Sequence, residues 1–229
     1  MSETAFVYAF TVLGGYLAGS VPWAYIIGKI NGIDIREHGS GNPGATNVRR
    51  TLGKKWGILC FFLDFLKGFL PVTVVNLLIS QKIIPELDFA PVAAAVASVA
   101  GHMWPIFLKF KGGKGISTIA GILLAVSPLA LLASGAVWAV FFYSFRYVSL
   151  ASIASALFLP PAAWAFSHYG IGAEVRTPSL GMLVFLSALA VLRHKSNIKR
   201  LLNGTENKFE KKKKKAENGE EHNENSSTQ

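Results

Sequence analysis

Three clusters of glycine, hydroxyl, amide and basic residues are where this chain could do chemistry, and each suits an oxyanion. The first is Gly39-Ser40-Gly41-Asn42-Pro43-Gly44-Ala45-Thr46-Asn47-Val48-Arg49-Arg50. Its closely spaced glycines let successive amide hydrogens converge on one point, as in an anion-binding nest. A helix starting near Ala45 would add its positive end, and Arg49 or Arg50 would supply a fork of donors matched to phosphate. The bland alternative is a glycine-rich connection with stop-transfer arginines. The second cluster is Gly101-His102-Met103-Trp104-Pro105, followed by Phe110-Lys111-Gly112-Gly113-Lys114-Gly115-Ile116-Ser117-Thr118. Bare amides at Gly112 and Gly113, a flexible lysine and a helix start make a phosphate cradle in physical terms. His102 suits an interface histidine packed on Trp104 as well as a functional group. The third is His194-Lys195-Ser196-Asn197-Ile198-Lys199-Arg200, with Gly204 and Glu206 beyond it. His194, Asn197 and Arg200 recur at every third residue and share a face on a helical extension. Taken alone, that face could equally be a snorkelling rim at the headgroups.

Other chemistries find no support in the residues. The second cluster is not a Walker A loop, because Lys114 precedes Gly115 and the first glycine of that motif is missing, so ATP is not expected. No acyltransferase HxxxxD pair exists: Phe107, Ala173 and Lys199 stand where the aspartate would follow His102, His168 and His194. Cys60 is the one cysteine, which excludes an internal disulfide and a cysteine zinc site. Neither a metal nor a cofactor is expected, and no nucleic acid partner.

The elements that must position these clusters are membrane helices. Of 229 residues, 51% are hydrophobic and only 16% charged, which excludes a disordered protein and argues against an ordinary soluble domain. Ala5–Ile27, Phe89–Leu108, Gly115–Phe145, Val148–Tyr169 and Thr177–Leu192 carry no Asp, Glu, Lys or Arg, and Gly57–Ser80 carries only Asp64 and Lys67. Most are long enough for a hydrocarbon core of about 30 Å at 1.5 Å per residue. As one helix Gly115–Phe145 would run about 46 Å, and Ser127-Pro128 near its middle predicts a split into two short spans. The Asp64–Lys67 pair, one turn apart, predicts an intramembrane bridge or a loop support.

Charge bias sets the topology. Lys29, Arg36, Arg49, Arg50, Lys54 and Lys55 follow the first span; Lys109, Lys111 and Lys114 follow the third; ten more basic residues lie between Arg193 and Lys215. Placing all three regions in the cytoplasm gives an all-α, polytopic protein of seven transmembrane helices, N-terminus outside and C-terminus inside. Lys82, Glu174 and Arg176 then lie outside. Residues 1–209 form the membrane domain, and 210–229 read as a disordered Lys/Glu/Asn-rich cytoplasmic tail.

The three clusters thus share one side of the bilayer by an argument independent of their motifs. Two anion loops and a histidine together suit two phosphate groups. A water-soluble phosphate ester could there meet a membrane-dissolved acyl phosphate, whose good leaving group demands positioning and charge stabilisation rather than a strong acid. A carrier for organic phosphates is the competing class, and a purely structural membrane protein the third.

At Gly39–Asn47 with Arg50, Gly101-His102 with Pro105 and Phe110–Gly115, His194-x-x-Asn197-x-x-Arg200-Leu201 with Gly204 and Glu206, and Phe62–Gly68, the sequence resembles the bacterial membrane acyl-phosphate:glycerol-3-phosphate acyltransferases. The resemblance covers roughly residues 5–209. It implies transfer of a fatty acyl chain from acyl phosphate to the 1-hydroxyl of glycerol 3-phosphate, with acyl-CoA and acyl carrier protein excluded as donors. It implies an inner-membrane, cytoplasm-facing site at the start of phospholipid synthesis. In the family's pattern the positions matching Ser40, Arg50, Lys114, His194 and Asn197 hold glycerol 3-phosphate, and Gly41, Asn42, Gly44, Thr46 and Asn47 hold the other phosphate. Gly112 and Gly113 complete the expected substrate-binding set. His194 could accept a proton or donate a hydrogen bond, and the second role is favoured, because the attacking hydroxyl can lose its proton to a substrate phosphate oxygen.

Overall fold

The structure is a computed structural model that describes residues 2–172 and 175–209. Glu174 and the 210–229 tail lie outside the described residues. The described residues fold into helices and their connections: α1 (Glu3–Ser20), α2 (Trp23–Ile30), α3 (Ala45–Leu52), α4 (Lys54–Ser80), α5 (Ala90–Met103), α6 (Ile116–Val126), α7 (Pro128–Phe145), α8 (Val148–His168), α9 (Thr177–Arg193) and α10 (Lys195–Leu202).

Among the described residues, five segments are long and apolar enough to cross a membrane: Glu3–Ile30, Lys54–Ser80, Ala90–Leu108, Pro128–Phe145 and Val148–His168. A sixth exists if α9 and α10, bent by 53°, count as one span. At 11 residues, α6 rises only about 16 Å and is an apolar helix shorter than those spans. The expected break at Ser127-Pro128 is present, with α6 ending at Val126 and α7 starting on Pro128.

Two expected spans are less regular than their hydropathy. Ala5–Ile27 is interrupted at Val21-Pro22, because proline disfavours a helical residue before it and cannot donate to Ala18. Phe89–Leu108 is helical only to Met103, and Trp104-Pro105 turns the chain into a 3-10 turn at Ile106–Leu108.

The helices meet through small residues, as expected where lipid tails offer no hydrophobic drive for association. On α1, Gly15 and Gly19 lie against Ala94 and Ser98 of α5, and Gly101 lies against Tyr16 and Ser20 in return. On α4 and α6, Gly68 faces the Thr118 carbonyl and Gly121 faces the Phe65 carbonyl. Large apolar side chains such as Phe6, Phe10, Leu132 and Val140 are exposed on the outer surface, where a lipid solvent would receive them. At the end of the bundle opposite the three clusters, Arg176 pairs with Asp88 at 2.6 Å and Glu86 at 3.0 Å, joining two loops expected on the outside.

Candidate active site

The first cluster is organised by Asn47, near the start of α3. Its buried side-chain amide donates to the carbonyls of Ile35 (3.0 Å) and His38 (2.9 Å), and its Oδ1 accepts the Ser40 N–H at 2.9 Å. Asn47 therefore shapes the loop rather than offering its amide outward. Gly39 has φ +61°, and a Cβ there would stand 2.3 Å from Asn47 Oδ1, so this turn needs glycine on both counts. Beyond it α3 begins, and Ala45 and Thr46 of its first turn line a cavity, where the helix's positive end favours an anion.

The second cluster works differently from its sequence reading. The Gly112 and Gly113 N–H groups are not free for phosphate: they donate to the carbonyls of Met103 and His102, each at 3.1 Å. These glycines are needed for closeness, since a Cβ would stand 2.1 Å from the His102 carbonyl at Gly112 and 2.2 Å from the His102 ring at Gly113. Arg193, at the end of α9, donates to the carbonyls of Gly112 (3.1 Å) and Gly113 (3.0 Å) and lies 5.6 Å from the Trp104 ring centroid. That clamp fixes the loop from which Lys114 projects. His102, buried in α5, lies 3.6 Å from Asp64, which bridges to Lys67 at 2.8 Å. Lys67 in turn donates to the Val21 carbonyl at the break between α1 and α2. The expected bridge is present, and it supports the underside of the second loop.

The third cluster turns on Glu206. Its Oε1 accepts from Asn197 Nδ2 (2.7 Å) and Ser149 Oγ (2.8 Å), and its Oε2 from Arg200 Nε (2.7 Å). Burial alone would raise this carboxyl, but those hydrogen bonds hold it below the usual range and keep it ionised. With Nδ2 committed to Glu206, Asn197 turns its Oδ1 to Lys114, which donates to it. Burial pulls the Lys114 ammonium down to about 8, with Glu206 opposing and the neighbouring arginines assisting. His194 Nδ1 lies 2.8 Å from the Ala190 carbonyl; a carbonyl only accepts, so Nδ1 carries the proton and Nε2 keeps a lone pair. Burial, then the nearby Lys114 charge, takes His194 down to about 4, so the ring is neutral at pH 7.

These parts converge on one polar cavity of about 150 Å³ lined by Ser40, Asn42, Gly44, Thr46, Asn47, Arg50, Lys114, His194 and Asn197, together with the start of α6. Nine of the twelve expected residues are thus together in its wall; Gly41, Gly112 and Gly113 are not. Gly112 and Gly113 instead border a smaller recess shared with Asp64, Lys67 and His102. Next to the polar cavity is an apolar one of about 380 Å³, bounded by Ile58, Ile119, Leu123, Leu131, Leu159 and others from α4 and α6 to α9. Ala45, Thr46, Phe61, Ile116, Trp138, Val148 and Ser152 line both.

Sequence reading gave no role to Arg193, Ser149, Trp138 or Glu206, although Glu206 lay inside a recognised motif. Glu206 reaches Ser149 across 57 residues and Arg193 reaches Met103 across 90, contacts that nothing local signals, whereas the Glu206 bonds to Asn197 and Arg200 span nine and six residues and are open to local reading.

The glycerol-3-phosphate acyltransferase family model matches residues 9–204. The chain is similar to the glycerol-3-phosphate acyltransferase of Aquifex aeolicus, 46% identical over 87% of this chain and 98% of that one. It is also similar to that of Geotalea daltonii, 41% identical over 87% and 96%. Among solved structures it resembles the crystal structure of PlsY, an integral membrane glycerol 3-phosphate acyltransferase. The glycerol 3-phosphate form is 44% identical with a TM-score of 0.77, covering 89% of this chain and 96% of that one. The lysophosphatidic acid form is 43% identical with a TM-score of 0.75, covering 89% and 95%.

Proposed function

The chain belongs to the glycerol-3-phosphate acyltransferase family, and from that premise we propose that it transfers a fatty acyl group from acyl phosphate to the 1-hydroxyl of glycerol 3-phosphate. The products are lysophosphatidic acid and inorganic phosphate. The observation that carries this reading is the wall shared by a polar cavity, into which Arg50 and Lys114 bring positive charge, and an apolar one. A molecule with a phosphate at one end and an alkyl chain at the other fits across that wall. A small polar cavity accommodates phosphate-sized groups, which favours acyl phosphate over acyl-CoA or acyl carrier protein as the donor.

In this reading Arg50 and Lys114 neutralise the phosphate of glycerol 3-phosphate, while Ser40 and Asn197 orient it. Asn42, Gly44 and the first turn of α3 at Ala45 and Thr46, in a loop shaped by Asn47, hold the donor's phosphate. Neutral His194 presents Nε2 as an acceptor, so it orients the attacking hydroxyl; donating to phosphate from Nε2 would need a second proton that burial and Lys114 oppose. This reverses the hydrogen-bond role favoured from sequence and leaves the proton's destination unchanged. The hydroxyl oxygen bonds to the acyl carbon, the acyl carbon–oxygen bond to phosphate breaks, and the hydroxyl proton passes to a substrate phosphate oxygen. The site faces the cytoplasm in a seven-crossing bacterial inner-membrane protein whose C-terminus is inside, in agreement with the clustering of basic loops at the site's end of the bundle.

The test is the purified protein in detergent with labelled glycerol 3-phosphate and a long-chain acyl phosphate. Lysophosphatidate with one phosphate released per turnover is expected. Product from acyl-CoA but not acyl phosphate would refute the donor, and no product from either would leave a carrier. His194→Ala should lower kcat/KM about a hundredfold, within the range for a lost positioning group. Its pH profile between 5 and 7 should keep the wild-type shape, because the limb near 6 belongs to the second ionisation of the substrate phosphate. Disappearance of that limb in the variant alone would make His194 a true base.

A further inference from the structure

The described chain closes with a strap, Thr205–Phe209, that lies beyond the residues matched by the family model. Its backbone is pinned to the α7–α8 turn: the Phe209 N–H donates to the Arg146 carbonyl at 3.0 Å, and its carbonyl accepts from Arg146 Nε at 3.4 Å. The Phe209 ring meets Phe142 edge-on, with centroids 5.9 Å apart. Over the same ring lie the guanidinium carbons of Arg50 at 4.9 Å and Arg49 at 5.3 Å. Arg50 also donates to the Asn207 carbonyl at 3.1 Å. Phe209 lines the apolar cavity and Arg50 the polar one, so the contact sits where the two adjoin.

The geometry points to Phe209 as a positioning residue for glycerol phosphate capture, its ring being the platform that holds Arg50 at the junction of the cavities. Arginine is a long side chain that loses much rotamer freedom when it grips a ligand. Here the ring and the Asn207 carbonyl order it beforehand, so the incoming phosphate does not bear that entropic cost. Only one of the five guanidinium donors is committed to Asn207. An aromatic face is specifically suited to the task, because its quadrupole attracts a cation that an aliphatic surface would merely desolvate. Asn207 and Phe209 therefore extend the phosphate site past the three motifs.

This inference rests on the proposed transfer to glycerol 3-phosphate, and the experiment separates the two. Full-length Phe209→Ala, Phe209→Leu and Phe209→Tyr are assayed with glycerol 3-phosphate and acyl phosphate varied in turn, alongside melting curves in detergent. The Ala and Leu variants should raise KM for glycerol 3-phosphate roughly tenfold with kcat changed by less than about threefold. Phe209→Tyr should restore the wild-type value. An unchanged KM for glycerol 3-phosphate in the Leu variant overturns the proposal, as does Leu performing as well as Tyr, which would make Phe209 a wall of the apolar cavity and nothing more. If the Ala variant does not fold, the comparison of Leu with Tyr decides alone. A wild-type protein that forms no lysophosphatidate instead defeats the functional reading, a result distinguishable from an active wild type with indifferent Phe209 variants.

Discussion

Lys114→Met should lower kcat/KM for glycerol 3-phosphate about a thousandfold while leaving the melting temperature within a few degrees of wild type. Methionine keeps the length and most of the volume of lysine but removes its charge. The ammonium sits in the wall of the polar cavity, donates to Asn197 and faces Arg50 and His194 across the site. A preorganised charge of this kind, acting where phosphate charge gathers, is worth on the order of 10² to 10³ in rate. Glu206 keeps Arg200, Ser149 and its bond to Asn197 in the variant, so the fold loses little. The pH dependence supplies a second reading. Only protonated Lys114 binds the anion, and its value in the free protein is about 8. Capture should therefore be full below pH 7 and decline as pH rises through 8, a limb that kcat/KM reports for the free enzyme. The Lys114→Met variant should lack that alkaline limb. A loss of less than tenfold, or an alkaline limb that persists in the variant, would remove Lys114 from the phosphate site.

Gly121→Val should abolish the folded protein or depress its stability by at least about 3 kcal/mol, at the severe end of overpacking. A Cβ at Gly121 would stand 2.0 Å from the Phe65 carbonyl and 2.9 Å from the Phe69 nitrogen. Both are backbone atoms of α4 that no rotamer change can move aside. Reciprocally, a Cβ at Gly68 on α4 would stand 2.1 Å from the Thr118 carbonyl, so the two helices touch main chain to main chain. Prising them apart would displace α6, whose first turn lines both cavities and follows Lys114. Gly181→Val is the control: nothing lies within 4 Å of a Cβ there. Monodispersity and melting in detergent read the difference, and equal melting of the two variants would show that the α4–α6 contact is not tight.

Much of this was legible in the sequence because it is local. Charge-free runs, the Ser127-Pro128 break and the helix beginning at Ala45 each depend on residues within one turn of each other. Basic residues on the loops brought the three clusters to one side without any tertiary information. What escaped depends on distant partners. Gly112 and Gly113 look like open amides when read alone, and only the fold brings the His102 and Met103 carbonyls within reach of them. The Val21-Pro22 interruption was visible in principle, yet an unbroken apolar run masks a local backbone break. His102 could not be assigned between an interface and a function, because its neighbour Asp64 lies on another helix; the structure places both beneath the loop and in the wall of the polar cavity, and Trp104 faces Arg193 instead. The expectation of seven crossings likewise rests on charge parity, because α6 is shorter than the spans that length and hydropathy identify.

Under the proposed transfer, the adjoining cavities have a kinetic corollary. A donor whose tail is dissolved in lipid is presented to the protein as a mole fraction within a two-dimensional phase, while its co-substrate arrives as an ordinary molarity from water. Added detergent or bulk lipid therefore dilutes one reactant and not the other, and a rate constant for this protein has meaning only when the composition of the surrounding amphiphile is stated beside it.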